Sequence, residues 1–343
     1  MNNLRVRRQK LEARGKRGCF FASSFYLLTS SLVFFSLIGC GPKYTYPADT
    51  VTHAVEQISR DESQLSVESQ VAGKTLGAIL YLKDLVDAGG QVPKEVHEKM
   101  GQVMQAVTRV ALSTDLPLEF CVVVIRDRKQ GNELLVTRSL DDTKKAYADA
   151  LGVEESINRT LFGQGHYTLP LSGKPVFRLE EVHLENFLSD QIVQRIRFNF
   201  SKDAKNSAEN PLVLADGSVS ETPAGRRIFH FSMIGFKSKD PKENILGMLR
   251  IVSTVFQGYK FSDFDSIELR DYLNRQKLVV DQKMFLDFQN KKISEEELLS
   301  RFLTESQSIQ EAFKLFGFSL PPGSKKDSQE LSKPDETSLA GKS

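Results

Sequence analysis

The sequence predicts an α+β fold made of two mixed or antiparallel sheet units with packed helices. Three observations lead to this class. Short alternating apolar runs, which suit strands, are interspersed with longer runs whose apolar residues recur every three or four positions, which suits helices. One run, Leu118–Ile125, is apolar almost throughout, as a central strand covered on both faces would be. The order of these segments also repeats along the chain.

In the first half, Val51, Ala54, Val55 and Ile58 lie at helical spacing behind Asp49 or Thr50, either of which can cap. Leu65 to Val71 alternates as a strand, Ala72-Gly73 reads as a turn, and Thr75 to Leu82 is the returning strand of a hairpin. Gly89-Gly90 breaks the chain. Pro93 then opens a helix with Val96, Met100, Val103, Met104, Val107 and Val110 on one face. After Leu118–Ile125 and a polar turn, Glu133 to Arg138 is a strand. Helices are predicted over 141–151 and 154–162, and the turn-rich Gly163 to Lys174 closes the unit.

In the second half, Glu181 to Ile196 is helical in pattern and runs into a strand at Arg197–Phe200. Residues 202–225 are polar and read as a long exposed loop. Arg227 to Lys237 alternates as a strand, Pro241 opens a helix to Tyr259, and Phe264 to Tyr272 is a strand. Lys277–Val280 begins a strand or a helix. Glu295 to Phe316 reads as a helix that packs on its own unit, and the tail from Pro321 is too polar to fold.

The halves match in detail. Pro93-Lys94-Glu95 corresponds to Pro241-Lys242-Glu243, Ile125-Arg126-Asp127 to Leu269-Arg270-Asp271, and Leu134-Leu135-Val136 to Leu278-Val279-Val280. The pattern reads as a divergent internal repeat. The domain reading is therefore a leader at 1–39, a tether at 40–47, α+β units at 48–165 and 175–318, and a disordered tail at 319–343. The element order also resembles the BON domain of envelope proteins, a likeness of topology that carries no motif.

The leader carries the most specific signal. Seven basic residues and one acid within the first 18 residues precede an uncharged, largely apolar stretch from Cys19 to Ile38, which ends in Ser36-Leu37-Ile38-Gly39-Cys40-Gly41. A basic segment holds an N-terminus on the cytoplasmic side while the apolar segment inserts. Ser and Thr at positions 23, 24, 29, 30, 31 and 36 interrupt the run and weaken it as a permanent span. Leu37-Ile38-Gly39-Cys40 resembles the lipobox of bacterial lipoproteins. The resemblance implies cleavage between Gly39 and Cys40, acylation of Cys40, and a membrane-anchored place in the cell envelope. Gly41, where enteric inner-membrane lipoproteins carry Asp, leans towards the periplasmic face of the outer membrane. The remainder resembles uncharacterised bacterial lipoproteins, a class that implies no particular activity.

Composition limits the function further. The chain is net +2 and the leader +6, which leaves −4 beyond residue 39, so no nucleic-acid partner is expected. With Cys19 in the leader and Cys40 acylated, Cys121 has no intramolecular partner and reads as a buried strand thiol. None of the five histidines (His53, His97, His166, His183, His230) lies three or four residues from another, so no helical metal pair forms. Ala72-Gly73-Lys74-Thr75 lacks the earlier glycine of a phosphate loop, since Glu68 stands there. Asp263, Asp265 and Glu268 read as a solvated turn, and Asp141-Asp142 as a helix start. Arg126-Asp127 and Arg270-Asp271 read as turn-stabilising pairs. No catalytic residue, metal or cofactor is expected. The reading is a non-enzymatic binding or assembly module with a membrane and an envelope protein as partners. Two alternatives stand beside it: a periplasmic enzyme assembled around His166 and the 202–225 loop, and a chaperone-like carrier with an apolar groove.

Overall fold

The computed structural model describes residues 45–87, 89–167, 177–205, 213–235 and 240–305. The leader, Gly39, Cys40 and the tail at 319–343 lie outside the described residues. The described residues from Tyr46 onward fall within one compact unit.

The first half runs α1 (Val51–Ser63), β1 (Val67–Ala72), β2 (Thr75–Leu82), α2 (Lys94–Leu112), β3 (Phe120–Asp127), β4 (Asn132–Ser139), α3 (Leu140–Tyr147), α4 (Val153–Asn158) and β5 (Leu161–His166). The second runs α5 (Leu184–Lys205), β6 (Leu214–Glu221), β7 (Arg227–Ile234), α6 (Pro241–Tyr259), β8 (Ser266–Asp271), β9 (Gln276–Asp281), α7 (Gln282–Gln289), α8 (Glu295–Phe302) and β10 (Leu303–Glu305). Each half is a five-stranded mixed sheet with strands in chain order, β1 to β5 and β6 to β10. In both, the second and third strands pair in parallel across a helix and every other pairing is antiparallel. This is the α+β class, and the two halves share one topology.

Local chemistry accounts for the boundaries. Pro93 precedes α2, and Pro241 opens α6 behind Asp240, whose carboxylate accepts from Lys242 N at 3.0 Å. Asp281 caps α7 through Met284 N at 2.8 Å, and Ser294 caps α8 through Glu297 N at 3.1 Å.

Sheet one is covered on both faces. Leu76, Ala78, Leu80, Cys121, Val123 and Ile125 pack under α1 and α2. Ile79, Val122 and Val124 pack under a strap formed by residues 177–182, through Phe177, Leu179 and Val182. Leu179 N donates to Gln70 Oε1 at 3.0 Å and Val182 N to Thr75 Oγ1 at 2.9 Å, which fixes the strap along its length. Gly77 permits the close approach, since a Cβ there would meet Leu179 Cδ1 at 2.6 Å. Burial pushes the Cys121 thiol up to about 12, and the thiol behaves as a small hydrophobe. Sheet two packs one face, with Phe229, Phe231, Ile267 and Leu269, against α5 and α6; among the described residues no hydrophobic cluster covers the other.

Several sequence expectations are corrected. The strand expected at Arg197–Phe200 is helix: Ile192, Val193, Ile196 and Phe200 form one buried stripe, and the apparent alternation arose because Phe198 points outward. The loop expected at 202–225 contains the end of α5 and all of β6. Its inward residues Ala215 and Gly217 are small because α5 lies close; a Cβ on Gly217 would meet Val193 Cγ2 at 2.6 Å. The helix expected over 154–162 ends at Asn158, and the turn expected from Gly163 begins inside β5 instead, which takes the outer edge of β4. The helix expected over 295–316 ends at Phe302, where Leu303–Glu305 pairs with β9; the rest of that stretch lies outside the described residues.

Asp127 and Asp271, at matching strand ends, are both fully buried and clamp the turns that follow. Asp127 accepts from Lys129 N at 2.6 Å, Gln130 N at 3.1 Å and Leu85 N at 3.3 Å. Asp271 accepts from Leu273 N at 3.1 Å, Asn274 N at 3.2 Å and Asn244 Nδ2 at 2.9 Å. Removing either carboxylate strands buried donors. Asp127→Ala and Asp271→Ala are each expected to lower unfolding free energy by about 1–3 kcal/mol in urea titrations. The exposed Asp84→Ala should change it by less than about 0.5 kcal/mol.

Candidate functional site

The two halves meet at a buried polar network. Arg159, just after α4, pairs with Asp142 Oδ1 at 2.8 Å and Glu155 Oε1 at 2.8 Å, and its guanidinium lies 5.0 Å from the ring centre of Tyr259 on α6. The Tyr259 hydroxyl donates to Asp142 Oδ2, and Gln191 on α5 donates to the Tyr259 hydroxyl at 3.0 Å. Arg195 reaches Glu155 at 2.9 Å from α5. Burial opposes ionisation of Glu155, but hydrogen bonds from Arg159 and Arg195 outweigh it and hold its pKa below the ordinary value. Burial and the Asp142 charge push the Tyr259 hydroxyl up, so it stays a donor. Phe120 of sheet one packs on Phe187 of α5, with ring centres 5.0 Å apart.

Beside this junction lies the candidate site, an open groove of about 630 Å³ between β5 and α5. Its apolar lining includes Leu135, Phe162, Val193 and Phe198; Phe162 is 55% exposed and Phe198 53%. Its polar lining includes Asp190, Arg197 and Asp216. Surrounding protein desolvates Asp190 and raises its pKa, although the residue still opens to solvent and Arg197 partly offsets the effect. Arg197 donates through Nε to the Ala215 carbonyl at 3.1 Å, covering part of the β6 edge. A second groove of about 420 Å³ under the strap shares Leu135, Thr137, Leu161 and Asp190 with it, so the two are adjacent.

β5 is an edge strand whose outer side is only partly occupied. The Gln194 side chain acts as a short substitute strand: its Oε1 accepts from Phe162 N at 3.0 Å and its Nε2 donates to Thr160 O at 2.9 Å. The Phe162 amide therefore points away from β4. By strand alternation the amides of Gln164 and His166 point the same way. Among the described residues nothing pairs with them.

The histidines stand apart. His166 lies at the exposed end of β5 rather than in a loop, beside a shallow recess of about 160 Å³ whose carboxylate, Glu133, is already paired with Arg126 at 2.5 Å. Asp263 and Asp265 engage Arg227 at 2.6 Å each. Among the described residues no group of three or more His, Cys, Asp or Glu side chains has metal-binding geometry.

One constellation was missed from the sequence. On the open face of sheet two, Ser220 Oγ is 2.8 Å from His230 Nε2, and Glu268 Oε2 is 4.0 Å from His230 Nδ1. Burial lowers the His230 pKa despite Glu268. Only the β6–β7 register brings Ser220 and His230 together, and their spacing of ten residues carries no local signal. The 4.0 Å gap exceeds hydrogen-bond length, and Glu268 is committed to Arg270 and, at 3.1 Å, to Lys277. The trio is a cross-strand polar cluster on an open sheet face, outside the grooves.

No protein-family model matches the chain, and no curated protein does. Among solved structures it matches the crystal structure of sex pheromone staph-cAM373 precursor at 10% identity and a TM-score of 0.18, over 70% of this chain and 80% of that one. So low a score carries no structural argument.

Replacing Arg159 would leave the buried Asp142 carboxylate without its guanidinium, while the part-exposed Glu155 keeps Arg195. Arg159→Met is expected to cost about 3–5 kcal/mol of unfolding free energy by calorimetry or denaturant titration.

Proposed function

We propose that this protein is a membrane-anchored lipoprotein of the bacterial cell envelope, and that it acts as a non-enzymatic binding module for an extended polypeptide segment of an envelope partner. The anchor half of this reading rests on Leu37-Ile38-Gly39-Cys40 and its leader. One acyl chain alone binds a membrane marginally, whereas the several chains of a lipoprotein hold it durably. Tethering then raises the effective concentration of the module towards partners on the same surface.

The observation that carries the binding half is the open β5 edge beside the apolar groove. An extended peptide could add as a further strand through the outward groups of Gln164 and His166, with alternate side chains resting against Phe162 and Phe198. The groove itself agrees with the apolar-groove feature of a carrier, but its position along a strand edge favours a peptide over a compact ligand.

Two measurements test the halves separately. Labelled palmitate should enter the wild-type chain in cells and be absent from Cys40→Ala; unchanged labelling in that variant would refute the anchor. Peptides selected from a random library on the immobilised chain should bind wild type and lose at least tenfold in affinity to Gln164→Pro. That change removes one outward amide while leaving the β4–β5 ladder intact, as proline on an edge strand allows. Equal binding to the variant would refute strand addition.

A further inference from the structure

The most exposed large apolar side chains among the described residues cluster in sequence: Val153 at 80%, Tyr147 at 70%, and Ile157 and Phe162 at 55%. Val153 and Ile157, four residues apart, share one face of α4. Tyr147 and Ser156 both line a recess of about 320 Å³ floored by Met100 and Met104, which brings the end of α3 beside α4. Among the described residues this corner has no partner that would explain its composition.

It also lies near the point where the chain joins the folded body. Tyr46 N donates to Ser113 O at 3.1 Å and Tyr46 bridges Thr114, just past the end of α2. Arg109, one turn before that end, is paired with Glu62 of α1. Tyr147 shares its recess with Gln105 and Thr108 of α2. Five residues lie between Cys40 and Tyr46, a reach of at most about 22 Å even fully extended. A body held that closely, by that end, must bring some part of the surrounding surface to the lipid.

We propose that the α3–α4 corner is the surface on which the anchored body rests, with Tyr147, Val153 and Ile157 inserted into the interfacial layer of the bilayer. This rests on the lipid-anchor reading above. Aromatic and branched apolar side chains suit that layer, where an apolar body and a polar tip are both accommodated. The local charge is mixed: Lys144 and Lys145 stand with Asp141, Asp149 and Glu154. The contact is therefore apolar and needs no anionic lipid. Resting on this corner would hold α4 against the bilayer.

The chain contains no tryptophan, so a single introduced one is a clean reporter. Val153→Trp and, on the open face of sheet two, Val279→Trp are made in the full lipidated chain and reconstituted in phosphatidylcholine vesicles with brominated acyl chains. Val153→Trp should emit at shorter wavelength and be quenched at least twofold relative to unbrominated vesicles, with Val279→Trp unaffected. If the chain floats with the vesicles but both reporters remain unquenched, the docking proposal is wrong and the anchor stands. A Val153→Trp signal that is blue-shifted yet unquenched would mean that protein, such as a second copy, covers the corner, and would also overturn it. A chain that neither floats nor incorporates palmitate would remove the anchor and the docking together.

Discussion

The junction between the halves depends on a single guanidinium. Arg159 holds Asp142 and Glu155 from its own half and stacks on Tyr259 from the other, while Arg195 and Gln191 close the network from α5. A buried ion pair stabilises only when its geometry is good and its remaining hydrogen-bonding groups are met. Here Asp142 is shared between a guanidinium and a phenol, and Glu155 between two guanidiniums. The packing of Phe120 on Phe187 adds an apolar seam to this polar one. Together they set α5 against β5, and the walls of the groove are those two elements. The candidate site therefore owes its shape to this junction as well as to Gln194, which lines the groove and bonds Phe162 N and Thr160 O directly.

The shared topology makes the differences between halves informative. Ile79, Val122 and Val124 on sheet one correspond by register to His230, Ser266 and Glu268 on sheet two. In sheet one this face is apolar and lies under the strap; in sheet two it is polar and open. Each half thus keeps one helix-covered face, and the second face follows the chemistry of these few positions. The strap comes from the linker between the halves, so covering sheet one and joining the halves are done by neighbouring stretches of chain.

Much of this was legible in the sequence. The α+β class, the shared order of elements in the two halves, the bounds of α6 and the buried nature of β3 follow from periodicity and from Pro93 and Pro241. Asp127 and Asp271 were found as turn residues because the repeat aligned them. The errors share a cause: tertiary contacts replaced the hydrophobicity that local patterns need. β6 is poor in apolar residues because α5 approaches Ala215 and Gly217 closely. Phe198 faces out, so helical residues looked like a strand. β5 contains two glycines and the polar Gln164 and His166, and it forms because β4 offers an edge. The Arg159 network was not legible at all, since Asp142, Arg159, Gln191 and Tyr259 are scattered over 117 residues and carry no spacing.

If the halves are locked by that network, they should open together. Native-state hydrogen exchange in increasing denaturant compares the amides of β3, in the centre of sheet one, with those of β8, in the centre of sheet two. The account predicts a single opening free energy for both strands, with the two sets merging into one global unfolding transition. Exchange of β8 through a separate, lower-energy opening while β3 stays protected would contradict it, and would make the groove a hinge between independent units.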